Sequence, residues 1–148
     1  YFPAKRDFFA AVFARAGEQL LAASPIDPAL PLPDQVEAGL DAHFDYFRRH
    51  ARTILTANRG AMAGDPVVQG LIAAELGTLR NRVLDAVDLD GRARARVAVA
   101  LGGWLSFVRA ASLDWLEQET ISQAELKEIC LGALAGAVGP ELATVVER

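Results

Sequence analysis

His43, His50, Glu75 and Ser112 are the polar residues whose spacing sets them among apolar neighbours, so chemistry is sought there first. At about 100° per residue of helix, His43 and His50 fall inside the stripe of Val36, Leu40 and Phe47, on one face. Glu75 falls inside the stripe of Leu71, Ile72 and Leu79, and Ser112 lies between Trp104 and Trp115. A buried polar group needs a hydrogen-bonding partner. That partner is either another part of the protein or a bound small molecule, and each of these residues has both readings. The histidines serve as hydrogen-bonded core residues or as ligand contacts. Glu75 pairs with Arg82 or an arginine of another helix, or it recognises a cationic or hydroxylated ligand. Ser112 can also return its hydroxyl to its own helix. As metal ligands the two histidines are poorly placed, because two turns of helix hold the rings about 10 Å apart.

Catalytic patterns are not found. A helical di-iron site needs Glu-X-X-His, and Leu40 and Phe47 stand three residues before the two histidines. There is no Gly-X-Ser-X-Gly, no phosphate loop and no Cys/His cluster for zinc. Cys130, the one cysteine, lies in an apolar run with no base nearby in sequence, and reads as a small buried hydrophobe. No enzymatic activity, cofactor or metal is expected.

The elements that must position these residues are helices. Lys5 to Ala23 carries one apolar face of Phe9, Val12, Phe13, Ala16 and Leu20. Residues 24–33 hold prolines 25, 28, 31 and 33 and form a stiff link. A second helix is expected from near Asp34, with Glu37 at capping-box spacing, to about His50. A third stretch, Ala51 to Met62, ends at Gly64, and the junction at His50 reads either as a bend or as continuous helix. Asp65-Pro66 is a strong helix start, and the stripe that follows runs to about Val87. After Asp88-Leu-Asp90-Gly91 comes a long helix to about Glu117. Ser122-Gln-Ala-Glu125 is a capping box opening the last helix, which Gly139-Pro140 should disturb. No segment alternates like a strand, so the class is all-α.

The bulk numbers agree with a single domain. The chain has 148 residues, 52% hydrophobic and 23% charged, which is globular composition. The net charge of −4 argues against these residues forming a basic nucleic-acid surface by themselves. The start has no signal-peptide pattern, and no run reaches the roughly 20 uncharged apolar residues of a membrane span. A cytoplasmic location without membrane contact is the default expectation.

The first residues add a family resemblance. Tyr1-Phe-Pro-Ala-Lys5-Arg-Asp-Phe8-Phe9 resembles the junction in TetR-family transcriptional regulators where the DNA-reading helix ends and the connecting helix begins. Ala4 stands where the family usually has a capping Ser or Asn. The order of elements resembles that family along the whole chain. The resemblance implies that residues 1–5 are the edge of a DNA-binding domain whose helix-turn-helix lies upstream. It makes residues 5–148 a ligand-binding and dimerisation domain, with the connecting helix at 5–23 and the link at 24–33. Tyr1 and Lys5 would contact DNA phosphates.

The resemblance further implies an effector pocket in the core. Its candidate lining is His43, Phe47, His50, Asn58, Met62, Leu71, Glu75, Trp104 and Val108. It also implies a homodimer whose last two long helices form a four-helix bundle. The glycines inside those helices give a physical reason, since close helix approach offsets their cost of about 0.5–1 kcal/mol each. The candidate interface is Gly102, Gly103, Trp115, Leu126, Ile129, Cys130, Ala133, Gly136 and Ala137. The function implied is a ligand-responsive regulator, expected to be a repressor, that binds operator DNA through upstream helices and a small effector in the core. The alternatives are a helical dimerisation or ligand-carrier module without a DNA role and, further off, a helical metalloenzyme.

Overall fold

The computed structural model of the chain describes residues 11, 31–59 and 64–146, with the side chains of 32, 57–59 and 140–146 excepted. Five helices occur among these residues: α1 (Leu32–Arg49), α2 (Ala51–Arg59), α3 (Pro66–Ala86), α4 (Gly91–Gln118) and α5 (Gln123–Val146). No strand occurs among the described residues, so the all-α class holds. Of the expected helix at Lys5–Ala23 only Ala11 is described, and it is helical; most of the link at 24–33, and Tyr1, Lys5 and Met62, lie outside the described residues.

Local signals set most of the boundaries. The Asp65 carboxylate accepts from the backbone N–H of Val67 at 2.9 Å and of Val68 at 3.3 Å, filling two of the free donors that open α3. At the start of α5, Glu125 N–H donates to Ser122 Oγ at 3.1 Å and Ser122 N–H donates to Glu125 Oε1 at 3.3 Å. That is the reciprocal capping box expected from the sequence. α4 ends where Glu119 turns into the left-handed region at φ 50°, and its N–H donates to Trp115 O. α5 is kinked at Gly139, whose φ of 61° and ψ of −162° only glycine adopts comfortably.

One boundary moves from expectation, and one open junction is decided. α1 begins at Leu32 and takes Pro33 into its first turn, with Pro31 as N-cap and no side-chain cap. Proline costs little there because the first N–H groups of a helix have no intrahelical acceptor. The link therefore does not extend through 33. At the other end His50, with φ −114° and ψ 27°, separates α1 from α2, so the junction is a bend.

α4 is the hub, packing against α5, α3, α1 and α2. Its buried stripe includes Val97, Leu101, Trp104, Val108 and Trp115. These meet Leu126 and Cys130 of α5, Leu84 of α3, and Leu40 and Phe44 of α1 in the largest apolar cluster. A second cluster joins Tyr46 and Phe47 of α1 to Ile54 of α2 and Leu113 of α4. Val68 and Ile72 form a third at the start of α3. The α3–α4 turn is clamped by Arg94, which donates to Leu84 O at 3.0 Å and pairs with Asp85 at 2.9 Å.

α4 is the one helix among the described residues that is long and apolar enough to cross a membrane. Its best 18-residue window has a mean hydropathy of 1.3. Part of that apolar surface is taken up by packing against the four other described helices.

Candidate functional site: a polar cluster inside the helical core

Four polar side chains on α1, α3 and α4 lie near enough to act on one another's charge. α1 contributes His43 and, one turn on, Tyr46. Glu75 comes from the middle of α3, and Arg109 from α4. Phe47 binds the group together. The His43 ring lies against it at 4.2 Å between centroids, and the Arg109 guanidinium carbon is 5.7 Å from its centroid. Phe44 meets the His43 ring edge-on at 5.8 Å. Two phenylalanines thus fix the orientation of the imidazole.

The His43 Nε2 atom is inaccessible to solvent and has no hydrogen-bond partner. Burial, and then the Arg109 charge, push the imidazole pKa down to about 3, so the ring is neutral at physiological pH. Arg109 itself is 8% exposed. Burial lowers its pKa, while Glu75 and then Tyr46 act in the opposite direction. Burial raises the Glu75 carboxyl above the ordinary range and Arg109 opposes the rise. The Tyr46 hydroxyl is pushed up to about 12, by burial first and Glu75 second. Arg109 is therefore the electrostatic centre, influencing the other three. A cation, a neutral imidazole, a phenol and a carboxyl held toward its protonated form sit together in an apolar surround. Such a set can hold polar atoms of a ligand in place, and it contains no activated nucleophile.

Of the candidate lining, the structure brings together His43, Phe47 and Glu75. His50 is half-buried and packs on Tyr46 at 4.7 Å, on the far side of that residue from the cluster along α1. Leu71 belongs with Val68 and Ile72. Trp104 and Val108 do not join the cluster: both belong to the largest apolar core, where Trp104 Nε1–H donates to the Cys130 carbonyl at 2.8 Å. Arg109, one residue beyond Val108 and about 100° further around, takes the place they were expected to fill. Asn58 lies in α2, but its side chain is outside the described residues, as is Met62. Ser112 is fully buried and donates to Val108 O at 2.6 Å, so it is satisfied within its helix.

Arg109 and Tyr46 were not read from the sequence. Both had a signal: Tyr46 is one turn from each histidine, and Arg109 is one turn from Ser112 on a helix otherwise apolar at its centre. The arginine from another helix that Glu75 could pair with is Arg109.

The candidate dimer residues divide into two sets. Trp115, Leu126 and Cys130 are spent in the core of the chain itself. The Trp115 indole N–H donates to Ile121 O at 3.0 Å, and burial pushes the Cys130 thiol up to about 11. Gly102 faces α3, where a Cβ would lie 3.7 Å from Arg80 Nη1, and Ala133 is half-buried. Gly103, Ile129, Gly136 and Ala137 point outward, and the same surface exposes Val99 and Phe107. The first set therefore faces the chain's own core and the second faces outward.

Among the described residues no three His, Cys, Asp or Glu side chains come together in a way that could hold a metal ion. No family model matches the chain, and comparison with curated proteins and with solved structures finds no match in either.

Proposed function

We propose that this chain is the effector-sensing and dimerising part of a ligand-responsive transcriptional regulator resembling the TetR family, acting as a repressor. The observation that carries the reading is the buried polar cluster of His43, Glu75 and Arg109 within a helical core. A core built for stability alone would place apolar residues there, since an unpartnered buried polar atom costs about 1–3 kcal/mol. A binding site needs such groups, few in number and fixed in orientation. The Tyr1–Phe9 motif supports the regulatory half of the reading, with operator DNA read by helices upstream.

A homodimer belongs to the same proposal. α4 and α5 are apolar on the outside as well as the inside, with Val99 at 78%, Phe107 at 41% and Ile129 at 49% exposure. Gly103, Gly132 and Gly136 on the outer side have nothing within 4 Å of an added Cβ, which leaves room for a close helix. In the dimer, an effector favouring one arrangement of the connecting helix would alter the spacing of the paired DNA readers. Only a difference in affinity for the two arrangements can do this.

The test is DNA selection with the chain joined to its upstream coding sequence. A regulator enriches one operator-like, two-fold symmetric sequence. No sequence preference in any condition removes the regulatory reading and leaves a ligand-carrier module. For the dimer, light scattering should give twice the chain mass, and Phe107→Glu should return the monomer.

A further inference from the structure

We propose that the cluster recognises a small organic acid, its carboxylate seated between His43 Nε2 and the Arg109 guanidinium. The proposal rests on the ligand-binding reading above and names the chemistry of the ligand.

His43 Nε2 is buried and unpartnered. Phe44 and Phe47 hold the ring at 5.8 and 4.2 Å, so it cannot turn outward for a partner without breaking both contacts. Whatever satisfies this nitrogen has to come to it.

Arg109 is the charge whose field acts on His43, and the two share Phe47 as a neighbour. A ligand atom that satisfies Nε2 therefore sits in the field of a guanidinium. That excludes an ammonium head group and reverses the cationic ligand that Glu75 alone suggested. A hydroxyl can accept from the imidazole but answers none of the positive charge. A carboxylate accepts from both groups, and hydrogen bonds between ions of opposite charge are the strong ones. Glu75 does not pre-empt it, because a guanidinium has five N–H donors and serves more than one acceptor.

The surroundings are apolar. Phe47, Ile54 and Leu113 are buried beside the cluster, so the rest of the ligand is hydrocarbon. The class is thus an amphipathic acid with one carboxylate.

The test uses octanoate, 1-octanol and octylamine, which share one tail and differ in head group. Binding to the intact chain is measured by calorimetry, with thermal shift as a second readout. Octanoate is expected to bind, with 1-octanol weaker by about tenfold or more for the lost charge-assisted bonds, and octylamine not at all. His43→Phe keeps the aromatic packing and should weaken octanoate by about tenfold, and 1-octanol by no more than that, since both lose the imidazole hydrogen bond. Arg109→Gln should reduce octanoate to the affinity of the alcohol. Octylamine or 1-octanol binding as tightly as octanoate overturns the acid assignment and leaves a ligand site standing. Failure of octanoate to bind, or indifference of its affinity to His43→Phe, also overturns it. DNA selection is unaffected by either outcome, so the regulatory reading fails or stands separately.

Discussion

Replacing His43 by leucine should make the protein more stable and remove most of its sensitivity to mild acid. The imidazole pKa in the fold is about 3, against 6.5 for the free side chain. The folded value lies below the unfolded one, so between those limits the unfolded chain holds the proton more readily. The stability His43 permits is complete above pH 6.5 and declines as the pH falls toward 3. By pH 5 the loss is about 1.4 kcal/mol per unit over 1.5 units, or roughly 2 kcal/mol. In a chain of this size that lowers Tm by roughly 4–8 °C. Glu75 works in the opposite sense: its raised pKa favours the fold at low pH, and that contribution is lost as the pH rises through the folded value. The variant keeps Glu75, so the wild-type-minus-variant difference isolates His43. At pH 7 His43→Leu should also gain about 1 kcal/mol or more, because the unpartnered Nε2 is no longer buried. Urea unfolding of both proteins at pH 7, 6 and 5 measures this. Parallel pH dependences would refute the argument, for they would mean that His43 is solvated or partnered in the fold.

Three further outcomes follow from particular contacts. Asp65→Ala removes both caps at the start of α3 and should cost about 1 kcal/mol, read as a lower urea midpoint, while Asp65→Asn should cost less. Gly139→Ala forces a side chain into the φ 61°, ψ −162° region and should cost about 1–3 kcal/mol or straighten the kink, seen as a gain in helical circular dichroism. Cys130 is fully buried with its thiol held up to about 11, so a thiol reagent at pH 8 should react only as fast as the protein opens, and at once in denaturant.

The parts of the fold legible in the sequence are those set by neighbours in the chain. Asp65-Pro66 and Ser122 to Glu125 specify helix starts through contacts no more than three residues long, and each forms as expected. Gly139 marks the kink for an equally local reason. What was not legible depends on which face of a helix meets which neighbour. Trp104 and Arg109 are five residues apart on α4, yet one is bonded to α5 and the other is coupled to groups on α1 and α3. A helical wheel orders residues around an axis but does not say which neighbour lies at each angle. For the same reason the wheel found His43 and Glu75 and could not say that Arg109 lies between their helices. Pro33 failed differently: proline is read as a breaker, and only its place in the first turn makes it harmless.

The position of Arg109 on α4 also bears on how a bound acid could be felt elsewhere. α4 is in contact with each of the other described helices. It is tied to α5 by the Trp104 indole and to α3 by Arg94 and its partners. A carboxylate that drew Arg109 away from Glu75 would change the electrostatic tie between α4 and α3, where the packing around Ile72 and Leu84 belongs to separate apolar clusters. The α4–α5 pair shares the largest core with α1 and α3 but has in addition a buried hydrogen bond of 2.8 Å that the other pairs lack among the described contacts. The expected response is therefore a shift of α1 and α3 against a fixed α4–α5 pair. In a dimer joined through the outer faces of α4 and α5 the interface would stay in place while the opposite side of each subunit moved. Hydrogen exchange with and without octanoate should then change most in α1 and α3 and least in α5.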